Sequence, residues 1–165
     1  MGLVSRYRYI LVTDALMEVL SVEEPKAVLA HEMGHAKHRH LLFYMVFLVG
    51  YVVLSSGIVD LSFQFLAVQP FFVRILATGE SQGANLFYFV LSLPLLVSMV
   101  VYFRYVMGFF MRHFERQADL FSAVTMGGPR ETISSLEKIA FLSGKIRDLP
   151  SWHHFSIKER VDCLL

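Results

Sequence analysis

His31-Glu32-Met33-Gly34-His35 is the stretch from which the rest of the chain is read. Two histidines four apart lie on one face of a helix, so both imidazoles can reach one metal ion. Glu32, one position on, can lean over a water at that metal and take its proton instead of ligating. Zinc is the ion this pattern suits, because it lowers the pKa of such a water to about 7. Alone the pattern is only moderately specific: two histidines and a glutamate also coincide on polar helix faces. A third ligand has to be found.

The motif helix is expected over residues 21–40. Ser21-Val22-Glu23-Glu24 has the form of a capping box, and Pro25 falls in the first turn, where proline is tolerated. Upstream, residues 4–13 read as a strand, with YRYILVT at Tyr7–Thr13 rich in aromatic and β-branched side chains. Tyr7, Tyr9 and Leu11 alternate, as in an edge strand that pairs with an extended peptide or in ordinary core packing; both readings stay open. Residues 14–20 read as a short helix or turn. The opening MGLVSRYRYI does not read as a signal peptide, and Arg6 stands where a myristoylation site needs Ser or Thr.

Downstream of the motif the composition changes. Leu41 to Val59 and Ser81 to Phe103 contain no charged side chain, and each is about the 20 residues a helix needs to cross a bilayer. Hydrophobic residues make up 55% of the 165-residue chain and charged ones 18%, with a mean hydropathy of +0.53. A soluble core does not need that much apolar surface, so residues 41–103 are expected to form a transmembrane hairpin in contact with lipid. Lys37 and Arg39 precede it and Arg104, Arg112 and Arg116 follow it, while its connection holds Arg74 against Asp60 and Glu80. The positive-inside rule then puts both flanks in the cytoplasm and the connection outside. A net charge of +1 argues against nucleic acid as a partner. The single cysteine, Cys163, cannot form an internal disulfide.

The returning segment, residues 104–165, supplies the missing ligand. In Phe114-Glu115-Arg116-Gln117-Ala118-Asp119 the two carboxylates are four apart and share a helix face. Glu115 would complete a His-His-Glu set with an open fourth position. Asp119 would accept a hydrogen bond from the far nitrogen of a ligand imidazole. The competing reading pairs both carboxylates with Arg112 and Arg116 on a surface helix. His38 and His40 are expected to cap the motif helix at the membrane surface, and His113 to point away from the site. Met45, Met99 and Met107 read as lipid or packing residues. After the break at Gly127-Gly128-Pro129, Ile133, Leu136 and Ile139 recur at helical spacing.

HEMGHAKHRH and ERQAD, in that order and separated by a membrane hairpin, resemble the HtpX-like and CaaX-prenyl-protease family of membrane zinc endopeptidases, which are gluzincins. The resemblance spans nearly the whole chain. It implies a mainly α, gluzincin-like catalytic domain over residues 1–165 holding one zinc. It also implies hydrolysis of membrane or membrane-proximal proteins, with quality control as the expected setting. In family members a His-Pro segment follows, with an arginine six residues after the histidine; here His154 and Arg160 hold that spacing, with Phe155 in place of the proline. By resemblance His154 would donate to the oxyanion and Arg160 would order the pocket through a carboxylate; His153 competes with His154 for the first role. Family members are usually longer, with further N-terminal membrane helices. The expectation is therefore a fragment, or a shortened member that uses a homo-oligomer or partner helices as an outer wall. The expected location is a multi-pass membrane protein, in the plasma membrane if the source is bacterial or archaeal.

Other readings are weaker. Intramembrane site-two proteases take an aspartate from an LDG motif, which is absent, and receptor-linked BlaR-type zincins have cysteine where this chain has Ala118. A metal-binding scaffold without peptidase activity would be favoured by loss of Glu32, which is present.

Overall fold

The computed structural model describes residues 14–79, 81–142, 144 and 155–165. The strand expected over residues 4–13 and the histidines at 153 and 154 lie outside them. Among the described residues the chain is mainly helical: α1 (Asp14–Val19), α2 (Glu24–Lys37), α3 (His40–Ala67), α4 (Pro70–Ala77), α5 (Ser81–Val101), a π-helical stretch (Tyr102–Met107), α6 (Gly108–Met126), α7 (Arg130–Leu142) and α8 (Ile157–Leu164). They form two compact units, one from the described residues of 1–44 and 107–165, the other from 45–106.

In the first unit α2 lies against α6 and α7, and α8 lies against α6 and α7. Small residues make this possible. Ala27, Ala30 and Ala118 are buried, and a Cβ on Gly34 would stand 3.0 Å from the Ala118 Cα. Polar groups sealed between these helices satisfy one another, as burial requires. The Ser122 hydroxyl donates to the Ala27 carbonyl at 2.7 Å and lies 2.9 Å from the Thr132 hydroxyl. Glu24, at the start of α2, accepts from the Ser21 N–H and from Lys138 of α7, both at 2.7 Å.

The motif helix is shorter than expected. It starts at Glu24, with Pro25 in its first turn, and ends at Lys37 rather than His40. Arg39 has φ +57°, in the left-handed region, which breaks the helix before α3 begins. Of the expected capping box, the Glu24 carboxylate does reach back to the Ser21 N–H. A reciprocal capping box stands instead at Ser156 and Glu159, where it starts α8.

In the second unit α3 and α5 run antiparallel. Tyr102 donates to the Phe47 carbonyl at 2.9 Å, Tyr51 donates to the Leu95 carbonyl at 3.2 Å, and Phe63 packs on Phe87. Partners thus descend along α5 as they ascend along α3. The helix does not stop at Asp60 but runs on for 28 residues in all. Part of the connection expected between the two apolar runs is helical, as α4, with Pro70 at its first position, a place that suits proline. Leu66, Phe72 and Phe87 form the core here, and a Cβ on Gly83 would collide with Ile75.

Two helices, His40–Ala67 and the continuous helix Ser81–Met126, are long and apolar enough to cross a membrane. The apolar side chains of α3 and α5 point outward: Val52, Val53, Leu61, Phe89 and Val97 are all exposed. Ser55, Ser56, Ser92 and Ser98 turn their hydroxyls onto carbonyls one turn back. That leaves few unsatisfied polar groups on the apolar surface, as a hydrocarbon environment demands.

Candidate metal centre

The helix period puts His31 and His35 on the face of α2 that meets α6, and α6 brings Glu115 to them. His31 Nε2 and His35 Nε2 are 3.2 Å apart. Glu115 lies 3.7 Å from the first through Oε2 and 3.5 Å from the second through Oε1. These three residues are the group, among the described residues, that could hold a metal ion. Donor atoms about 2.0–2.1 Å from a tetrahedral zinc stand about 3.3 Å apart; the two imidazole nitrogens are near that spacing, and one Glu115 oxygen lies within 4.8 Å of both.

Each imidazole is fixed from behind. Asp119 Oδ1 lies 2.9 Å from His31 Nδ1; a carboxylate only accepts, so His31 carries a proton on Nδ1 and donates it to Asp119. Asp119 is itself held by Arg160, with Nε on Oδ2 at 2.8 Å and Nη2 on Oδ1 at 2.7 Å. Burial opposes the charge on Arg160, but Asp119 and Glu115 hold its pKa above the usual value. The Arg160 Nη2 is also 3.4 Å from Glu115 Oε2. His35 Nδ1 lies 2.7 Å from His40 Nδ1, and His40 Nε2 lies 2.9 Å from Gln117 Oε1. Burial, assisted by the neighbouring His31 and opposed by Glu115, pushes the His35 imidazole down to about 4, so it is uncharged near neutral pH.

Glu32 is half-buried in the same turn of α2 as His31. The competing surface-helix reading fails for Asp119, which is 2% exposed and paired with Arg160 rather than with Arg112 or Arg116. The Arg116 guanidinium lies 4.0 Å over the ring of Phe155, and Arg112 approaches the same ring at 5.7 Å. His113 stands apart from the group, exposed and bonded to the Phe109 carbonyl.

The model of Peptidase family M48 matches residues 1–164. The chain belongs to that family. M48 relatives include a protein named Protease HtpX homolog from Aeropyrum pernix, 30% identical over 133 residues, which are 79% of this chain and 39% of that protein. A Thermoplasma acidophilum protein of the same name is 30% identical over 147 residues, 84% of this chain and 39% of that protein. A third, from Archaeoglobus fulgidus, is 39% identical over 61 residues, covering 32% and 18% respectively. The chain thus spans about two fifths of the length of the first two curated relatives. No solved structure gives a significant match.

Sequence reasoning about this M48 chain missed His40 and Gln117. His40 does not cap the motif helix at a surface: it is 1% exposed and turned onto His35. Gln117 carried a signal, since it stands between Glu115 and Asp119 in ERQAD.

Proposed function

We propose that the chain is the catalytic part of a membrane-embedded zinc endopeptidase that cuts membrane or membrane-proximal proteins. The observation that carries this reading is the convergence of two imidazoles and a carboxylate, one potential ligand atom from each lying within 4.8 Å of the others. The Nε2 atoms of His31 and His35 stand 3.2 Å apart beside the Glu115 carboxylate, whose two oxygens lie 3.7 and 3.5 Å from them. Two imidazole nitrogens and a carboxylate oxygen gathered this closely are the donor set that suits zinc. Bound there, zinc supplies Lewis acidity that polarises a carbonyl and acidifies water.

The chain's own residues would do the rest. Glu32 takes the proton of the attacking water and passes it to the leaving amine nitrogen. Asp119 orients His31 and raises its basicity, and Arg160 keeps Asp119 ionised and in place. His154, two residues before the N-cap of α8, is the proposed oxyanion donor. The two apolar helices anchor the site in a bilayer, with the catalytic unit on the cytoplasmic side under the positive-inside rule.

Metal analysis of the detergent-purified chain, with a casein-cleavage assay in the presence and absence of chelator, tests the reading. One zinc per chain and chelator-sensitive cleavage are expected. Glu32→Gln should keep the zinc and lose cleavage; a variant that cleaves at the wild-type rate removes the general base and the peptidase reading with it.

A further inference from the structure

The two imidazoles at the candidate metal centre are held differently. Behind His31 stands a carboxylate; behind His35 stands a third histidine, itself held by an amide. In one continuous helix residues five apart are separated by about 140° around the axis and cannot meet. The left-handed Arg39 interrupts the helix, and His40 swings back until its Nδ1 is 2.7 Å from His35 Nδ1. Its ring then stacks on Phe114 at 4.3 Å and 13°.

The direction of the hydrogen bonds follows from the amide. Gln117 Oε1 only accepts, so His40 carries its proton on Nε2 and presents an acceptor at Nδ1. Gln117 Nε2 donates in turn to His38 Nδ1 at 3.1 Å. His35 is left one role at Nδ1, that of donor, and its Nε2 is kept free of a proton. We infer that His40 is the positioning residue for His35, selecting the tautomer and ring orientation that present Nε2 to the metal, with Gln117 setting the tautomer of His40. The inference rests on the reading of His31, His35 and Glu115 as a metal site.

The test uses the full chain in detergent. His40→Phe keeps a ring against Phe114 but offers His35 no acceptor. His40→Asn places a carbonyl oxygen near the position of Nδ1. Zinc affinity, measured by competition with a chromophoric chelator, should fall 10–100-fold in His40→Phe, the usual effect of losing such a partner, and stay within a few-fold of wild type in His40→Asn. Nitrogen-15 NMR of the metal-free wild-type chain needs no variant: His35 should carry its proton on Nδ1. Wild-type affinity in His40→Phe, equal losses in both variants, or a His35 proton on Nε2 would each overturn the inference. A wild-type chain that binds no zinc would instead sink the metal site itself.

Discussion

Arg160 grips Asp119 through two parallel hydrogen bonds, at 2.8 and 2.7 Å, and Asp119 passes that constraint to His31 at 2.9 Å. The arginine comes from α8 and the aspartate from α6, so the last helix of the chain helps set the geometry of the first motif. Both partners are almost fully buried, at 7% and 2% exposure. Bidentate contact with a carboxylate is specific to the planar guanidinium.

Removing one partner of such a pair leaves a buried charge uncompensated, at a cost of about 3–5 kcal/mol. Arg160→Met is therefore expected to lower the unfolding midpoint in denaturant strongly and to weaken zinc binding by 10–100-fold. The double variant Arg160→Met with Asp119→Asn should regain part of the stability but none of the metal affinity. Denaturant unfolding in detergent and zinc competition measure the two effects. A single variant as stable as wild type would show that Asp119 does not depend on Arg160.

Gly34, inside the HEMGH motif, predicts the reverse of the usual helix substitution. Glycine to alanine in an exposed helix gains up to about 1 kcal/mol from propensity. Here the new Cβ would meet the Ala118 backbone at 3.0 Å and the Phe121 side chain at 3.2 Å. Overpacking of that kind costs about 1–3 kcal/mol, and backbone cannot step aside as a side-chain tip can. Because Ala118 lies between Glu115 and Asp119, pushing α6 away moves both. Gly34→Ala should lower the melting temperature and the zinc content together; a higher melting temperature with full zinc would show that the α2–α6 approach is not tight.

The Glu24 carboxyl gives a pH dependence with a definite sign. Burial alone would raise its pKa, but hydrogen bonds from Lys138, Ser134 and Ser21 outweigh it and hold the group down at about 2, against 4.5 for an ordinary glutamate. A depressed carboxyl favours the folded state fully above the unfolded value and loses that contribution as pH falls through the folded one. The difference in melting temperature between wild type and Glu24→Gln should thus be constant above about pH 5. It should shrink from pH 4.5 towards pH 2. A difference that grows on acidification would contradict the Lys138–Glu24 link between α2 and α7.

How much of this was legible in the sequence depended on whether the physics was local. The i, i+4 spacings of His31 with His35 and of Glu115 with Asp119 are local, and the structure brings three of those residues together and places the fourth behind His31. The two apolar runs are likewise local, and both appear as long helices. The end of the motif helix was not legible, because it turns on a left-handed arginine, and that conformation is signalled by glycine or asparagine. The packing of α7 was missed for another reason: Ile133, Leu136 and Ile139 are only half-buried, while Thr132, Ser135 and Ala140 fill the interface. Thr132 can be buried there because Ser122, distant in sequence from α2, satisfies its hydroxyl while bonding to Ala27. The Ser156–Glu159 capping box was readable from its spacing alone.

The remaining prediction concerns topology, on which the proposed site depends. α2 and α6 belong to one compact unit, and between the two motifs the chain runs along His40–Ala67 and the first part of the continuous helix Ser81–Met126, the two helices long and apolar enough to cross a membrane. α3 and α5 are antiparallel, so a chain that leaves one side of a bilayer along the first returns to it along the second. Under the proposed reading, the positive-inside rule applied to the charges flanking the pair would make that side cytoplasmic. Cys163 is the single cysteine and is exposed on α8, so the native thiol should react with an impermeant maleimide only after cells are opened. In a Cys163→Ser background, Lys26→Cys, at an exposed position of α2, should behave in the same way. Gln82→Cys, exposed at the start of α5, should label in intact cells. Opposite behaviour of Lys26→Cys and native Cys163 would require an odd number of crossings between the two motifs. Glu115 could then not share a metal with His31 and His35, and the peptidase reading would fail. Labelling of both in intact cells, with Gln82→Cys protected, would keep the site and reverse only its orientation.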